Sequence, residues 1–329
     1  MTFCHFAYGL RIRANVAIPG LTAIDDCDPA DVEINSGSLP GWLDTSAEAS
    51  AESYRKFPVG DGTSDSANRV FLVRDGSYFW FRYADDTQFV VSSAGDHVWF
   101  TWREPFTLED ATTYLLGPIF GFLLRLRGYA GLHASAVAES RGAIAIVGPA
   151  GAGKSTTAGW FVQHGFRLIA DDHVILDPSA DSISVIPSYP RLRLWPTSVD
   201  MLYDRPDALP LLTPNWEKRY LQIEHDLANS AGSSPLVAIF FLAERADEER
   251  PERVMPLTPS EAFIRLSANS HVSRLLTSEM RADDFRVMSR VAKEIPCSIV
   301  YPSSNPADLP SLCREILAYT AGIEMAGRG

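Results

Sequence analysis

The stretch GPAGAGKST, Gly148 to Thr156, decides the fold of this chain. Gly148, Gly153, Lys154 and Ser155 fill the spacing GxxxxGK[ST], and Gly151 adds a further position without a Cβ. The chemistry asks for these residue types because consecutive backbone N–H groups must turn inward around phosphate oxygens, which side chains at several positions would obstruct. In such a loop Lys154 reaches the β- and γ-phosphates and Ser155 holds Mg²⁺, while Ala150, Ala152 and Thr156 complete the nucleotide-contacting run. The flanks agree with this reading. AIAIVG is a buried strand running into the loop, and TTAGWFVQHG is a helix that ends with Gly165 as its C′ residue. The rival, a glycine-rich turn without ligand, does not account for the loop, lysine, hydroxyl and flanking elements together.

Fifteen residues on comes the pair Asp171 and Asp172, within RLIADDHVIL, which reads as one strand. A strand, helix and strand joined by so short a crossover predicts the second strand beside the first in a parallel sheet, its end next to the phosphates. Neighbouring residues on a strand point opposite ways, so one aspartate could face metal and the other an incoming nucleophile, or one is only a turn residue. A single carboxylate suffices for Mg²⁺ in hydrolytic P-loop proteins, whereas a second suits a kinase, in which a proton acceptor must approach the acceptor hydroxyl.

The segment from Leu132 to Leu176, LHASAVAESRGAIAIVGPAGAGKSTTAGWFVQHGFRLIADDHVIL, resembles the core of the HPr serine kinase/phosphorylase family, and PRLRLWP (Pro190 to Pro196) looks like a motif of its lasso-peptide-associated branch. The resemblance implies an HPr-kinase type of P-loop domain, with ATP or GTP as donor and Mg²⁺ as cofactor. It implies that His133 lies near the phosphates, that Asp171 is the catalytic acid/base and that Asp172 assists the metal. It implies a peptide acceptor, the C-terminal serine of a lasso-peptide precursor, and self-association, since HPr kinases are oligomeric. The bifunctional enzymes of the family carry a glutamate-containing signature. This chain has Arg191 and Arg193 in that region and no matching Glu, which points away from phosphorolysis and from HPr as acceptor.

Arg191, Arg193, Lys218 and Arg219 are candidates for binding phosphate or a peptide carboxylate, with surface solvation as the equal alternative. The chain has four lysines among 29 basic residues, and two of them, Lys154 and Lys218, fall in these segments. A formal charge of −12 argues against broad attraction to nucleic acid or to an anionic membrane. The N-terminus lacks the pattern of a signal peptide, and the most apolar run, Tyr114 to Leu124, is too short to span a bilayer. Four cysteines without metal-ligand spacing fit a reducing cytoplasm.

The fold expected is α/β: a smaller β-rich region (1–104), a helical connector (105–131) and a P-loop catalytic domain (132–329). In the first, Arg69 to Trp102 holds three β-rich runs separated by DG, ADD and AGD, and FAYGLRIRANVAI and ADVEI add two strands before a polar loop at 44–68. Tyr78, Trp80, Trp99 and Trp102 read as packing for this sheet. The connector reads as a helix from Thr107, kinked at Gly117-Pro118, with Thr107 and Asp110 in capping-box spacing. The function expected is transfer of phosphate from nucleotide to a peptide hydroxyl. A small-metabolite kinase and a nucleotide-binding regulatory module are the alternatives.

Overall fold

The first hairpin turns at Tyr8 and Gly9, both in left-handed backbone (φ 54° and 73°), and joins Phe3–Ala7 (β1) to Leu10–Ala14 (β2). The computed structural model describes residues 1–43, 52–58, 67–179, 182–223, 232–245 and 252–326, which fall into two units. Residues 1–129 belong to the first unit, together with the short pieces 213–215 and 272–280; the rest forms the second.

The first unit is built on one sheet. To β1 and β2 it adds Thr22–Ala23 (β3), Val32–Ser36 (β4), Glu52–Pro58 (β5), Ala67–Val73 (β6), Tyr78–Arg82 (β7), Gln88–Ser92 (β8) and His97–Thr101 (β9), in the order β3-β1-β2-β4-β9-β8-β7-β6-β5. The three turn signals thus separate four strands, not three, and β5 lies inside the stretch expected to be a polar loop. The aromatics pack the sheet. Trp80 is buried with Phe71 and Val90, Tyr78 and Trp99 meet edge-on with centroids 6.0 Å apart, and Trp102 stacks on Phe100. A disulfide joins Cys4 to Cys27 across 23 positions, a link that the cysteine spacing did not reveal. The connector forms Leu108–Tyr114 (α1) and Phe120–Leu126 (α2) around a wide turn at Leu115–Ile119, where Gly117 leaves helical backbone (φ −94°, ψ −115°) next to Pro118. Thr107 and Asp110 form the reciprocal capping box.

The second unit contains a mixed sheet and a small three-stranded one. Ala130–Leu132 (β10) and Ala134–Glu139 (β11) precede Gly142–Val147 (β12), whose residues are all buried and which leads into the helix Lys154–Gln163 (α3). Gly142 (φ 139°) opens β12 directly after the two-residue turn Ser140-Arg141, and an added Cβ there would stand 2.5 Å from the Pro235 carbonyl oxygen. RLIADDHVIL is two strands, Arg167–Ala170 (β13) and Val174–Asp177 (β14), because the backbone turns left-handed at Asp172 (φ 72°) and ends the pairing there. Next come Ser184–Ile186 (β15), Arg191–Leu194 (β16), the helix Pro196–Tyr203 (α4), Leu211–Thr213 (β17) and Trp216–Gln222 (β18). The remaining elements are Ser234–Leu242 (β19), Val254–Pro256 (β20), the helices Pro259–Ala268 (α5) and Ser278–Glu294 (α6), Cys297–Val300 (β21) and the helix Leu309–Ala326 (α7).

The main sheet runs β10-β14-β15-β19-β12-β11-β13, with β21 beside β19. β12, β19 and β21 are parallel, while β11 pairs antiparallel with both β12 and β13. The crossover strand therefore runs parallel to β12 but not beside it, since the β11–β12 hairpin occupies the adjacent place. Ala262, Leu266, Met288 and Val291 cover one face of the sheet, and Ala158, Phe161, Leu312 and Ile316 cover the other. With both faces buried, the ends of its strands are where side chains reach solvent. Among the described residues no helix is long and apolar enough to cross a membrane.

Candidate active site

The loop after β12 opens α3 with Gly151 (φ 81°) and Gly153 (φ 105°) in left-handed backbone, the conformation that brings successive amides to one side. Lys154 is buried and donates to the carbonyl oxygens of Gly148 (2.9 Å) and Pro149 (3.0 Å). Burial lowers its proton affinity, while the charges of Asp172 and Asp171 raise it. Gly148 ends the strand, and a Cβ there would stand 3.1 Å from the Ala152 side chain and 3.3 Å from the Leu242 carbonyl oxygen.

Asp171 is buried, and three elements converge on it. Its Oδ1 accepts from the hydroxyls of Ser135 (2.6 Å) and Ser155 (2.8 Å), and its Oδ2 accepts from the Arg193 backbone N–H (2.9 Å). Strand β11, helix α3 and strand β16 are thereby tied to one carboxylate. Asp172 turns the other way and is partly exposed. His133 Nδ1 stands 3.2 Å from its Oδ1 and 3.1 Å from its backbone oxygen, and Arg193 Nη1 stands 3.6 Å from Oδ2. Burial alone would raise the proton affinity of Asp172. His173, the His133 hydrogen bond and Arg193 outweigh that and hold its carboxyl well below the usual carboxylate range. His173, behind it, is 1% exposed and packs edge-on against His271. Burial pushes its imidazole down to about 4, so it is neutral at pH 7.

Part of this set lines a cavity of about 390 Å³; the buried Asp171 is not among its lining residues. Ala150, Gly151, Gly153, Lys154, Ser155 and Thr156 form its loop side, and His133, Asp172, Arg193 and Lys218 also line it. Ala152 faces a smaller cavity of about 30 Å³ next to it. Two of the four expected cations point elsewhere: Arg191 lies over the Tyr220 ring (4.0 Å) and bonds Gln222, and Arg219 donates to the Leu209 carbonyl oxygen. The resemblance gave Asp172 to the metal together with Ser155, but Ser155 meets Asp171. The left-handed backbone at Asp172 is the reason, since it breaks the strand and aims that side chain at His133.

Sequence reasoning missed several residues here. Ser135 was visible only as part of an apolar strand, and Thr197, Ser198 and Met201 reach the cavity from α4. Trp195 stood within PRLRLWP without a role, and it lines the cavity beside Lys218. Arg245, just beyond β19, lines both cavities, and its Nη2 lies 3.2 Å from where a Gly153 Cβ would be. No local pattern announces it.

The donor set suits the groups expected. Mg²⁺ keeps several waters and takes one or two carboxylates besides phosphate oxygens, so a hydroxyl and one carboxylate are sufficient. The Ser155 hydroxyl, already 2.8 Å from Asp171 Oδ1, supplies that arrangement.

No family model matches this chain. Over 67 residues it is 43% identical to the HPr kinase/phosphorylase of Lactobacillus delbrueckii subsp. bulgaricus, a match that covers 20% of this chain and 21% of that protein. The chain therefore matches about a fifth of the length of this curated relative. The solved structure of the Hpr(Ser) kinase/phosphatase from Coxiella burnetii aligns with a TM-score of 0.32 and 12% identity, over 60% of this chain and 93% of that one.

Proposed function

We propose that the chain is a P-loop phosphotransferase of the HPr-kinase-like kind, which transfers the terminal phosphate of ATP or GTP to a serine hydroxyl. The observation that carries this reading is the cavity itself, with Lys154 and Ser155 on one side and the His133–Asp172 pair facing the same space. A hydrolase needs one carboxylate there; the second, turned toward an open cavity and kept ionised, suits an acceptor hydroxyl. The partial sequence match to an HPr kinase/phosphorylase points the same way.

In this reading the residues have distinct duties. The loop amides and Lys154 hold the phosphates, and Ser155 with Asp171 would hold Mg²⁺, which when bound offsets phosphate charge. Asp172 accepts the acceptor's hydroxyl proton, His133 keeps that carboxylate oriented, and Arg193 fixes both aspartates, one through its backbone N–H and one through its guanidinium. Positioning and charge neutralisation account for most of the catalysis such a site can give. The acceptor we propose is a peptide, the C-terminal serine of a lasso-peptide precursor, on the strength of the PRLRLWP resemblance; the first unit is the proposed peptide-contacting part. We place the reaction in the cytoplasm, where nucleoside triphosphates are supplied. The Cys4–Cys27 bond is the feature to check against that placement.

Incubation with γ-labelled ATP or GTP, Mg²⁺ and a panel of serine-ended precursor peptides tests the proposal. Label in a peptide is the expected result. Label in a small hydroxylated metabolite would identify a different acceptor, and unchanged nucleotide across the panel would refute the kinase reading.

A further inference from the structure

We propose that Lys218 is a second catalytic lysine of the transfer site, held by the indoles of Trp195 and Trp216 so that it meets the phosphoryl group in transit. This inference rests on the kinase reading above. The Lys218 ammonium lies 4.8 Å from the centre of the Trp216 ring and 5.1 Å from that of Trp195, and the two indoles meet edge to face at 5.8 Å. Both indoles are more than a third exposed, 42% and 37%, so core packing does not explain their placement. Among the described residues the ammonium has no hydrogen bond and no ion pair; ring faces are its contacts.

That kind of support matters chemically. A carboxylate partner would neutralise the lysine, whereas a ring face restrains it and leaves its charge available to an anion. A free lysine spreads into solvent and loses rotamer freedom when it binds, so one already folded onto two rings acts without that reorganisation. Lys218 lines the same cavity as Lys154 but comes from β18 of the small sheet, so cations enter from two separate elements. Burial lowers its proton affinity and the charges of Asp172 and Asp171 raise it, as they do for Lys154.

In the step assigned to it, the acceptor oxygen forms a bond to the terminal phosphorus while the bond to the bridging oxygen breaks. The electron pair of that bond leaves with the nucleoside diphosphate, and the hydroxyl proton passes to Asp172. Charge spreads over the three non-bridging oxygens as this happens. Lys218 donates an N–H to one of them and keeps its own proton balance unchanged.

The test uses the full chain and the variants Lys218→Met, Lys218→Arg and Trp195→Leu. ADP with Mg²⁺ is titrated with and without aluminium fluoride, which mimics the phosphoryl group in transit, and thermal unfolding confirms that each variant is folded. ADP affinity should stay within about threefold in all variants, while the gain from aluminium fluoride falls at least about tenfold in Lys218→Met. Lys218→Arg should retain part of the gain and Trp195→Leu should lose part of it. Tryptophan emission should respond to aluminium fluoride in the parent and not in Lys218→Met. An equal gain in parent and Lys218→Met would overturn the proposal. A parent that binds no ADP would defeat the kinase reading itself, and this inference with it, in a way visible before any variant is made.

Discussion

Aspartate is among the few residues that enter left-handed backbone at modest cost, and at Asp172 (φ 72°) that tolerance gives two neighbouring carboxylates different partners, Ser135 and Ser155 for Asp171 and His133 for Asp172. Asp172→Asn keeps the shape and the backbone preference but removes the negative charge. It should lower kcat by about a hundredfold while leaving nucleotide affinity within about threefold, as single-turnover kinetics and calorimetry would show. Asp171→Asn should act differently, because two hydroxyls and an amide depend on that carboxylate. Mg²⁺-dependent nucleotide affinity should fall, and stability should drop by about 2 kcal/mol in thermal unfolding. Equal effects on kcat with no difference in binding would show that the carboxylates are not divided this way. The sequence made Lys154 and Ser155 legible because their spacing is fixed by the geometry of a phosphate. The orientation of the two aspartates was not legible, since it depends on one backbone angle that periodicity does not register. Arg245 and Trp195 depend on tertiary placement alone.

Among the elements, the strands that flank the loop and the helix it opens were readable from short apolar runs and the glycine at the helix end. The break between β13 and β14 and the placement of β11 beside β12 were not, because a hairpin with the two-residue turn Ser140-Arg141 looks in sequence like two ordinary strands. The first unit shows a related limit: β5 lacks a clear alternation, and its pairing with β6 supplies what its own sequence does not. Within β1, His5 is 3% exposed and its Nε2 accepts from the Ile18 N–H (3.2 Å). Burial lowers its proton affinity, and a protonated imidazole would lose that acceptor. The folded form therefore holds fewer protons than the unfolded chain, so stability is intact above about pH 6.5 and declines as pH falls below it. Thermal unfolding of the first unit between pH 7.5 and 5 should show this slope, and His5→Gln, whose amide can still accept, should flatten it.

At the scale of the molecule, the cysteines separate into two kinds. Cys297 and Cys313 are buried, and burial pushes both thiols up to about 12, whereas Cys4 and Cys27 are joined. A thiol reagent should therefore find no reactive group in the native oxidised chain, two after denaturation and four once the denatured chain is reduced. Cys4→Ser with Cys27→Ser should cost about 3 kcal/mol, a magnitude expected for a loop of this length, and a native chain that already yields two more thiols would remove the disulfide from the account. The charge of −12 and the α/β alternation were readable from composition and pattern; the pairing of Cys4 with Cys27 was not, because nothing in a spacing of 23 positions distinguishes a link from two separate thiols. The way the chain is apportioned also has a practical side. Pieces 213–215 and 272–280 belong to the first unit although they lie deep within the sequence of the second, so the polypeptide passes from one unit to the other at five points. A chimaera that exchanges only residues 1–129 would carry two orphaned stretches of its former partner, and a cut after Tyr129 would release two fragments of which neither is whole. Any exchange of the first unit for another has to replace three stretches of chain together.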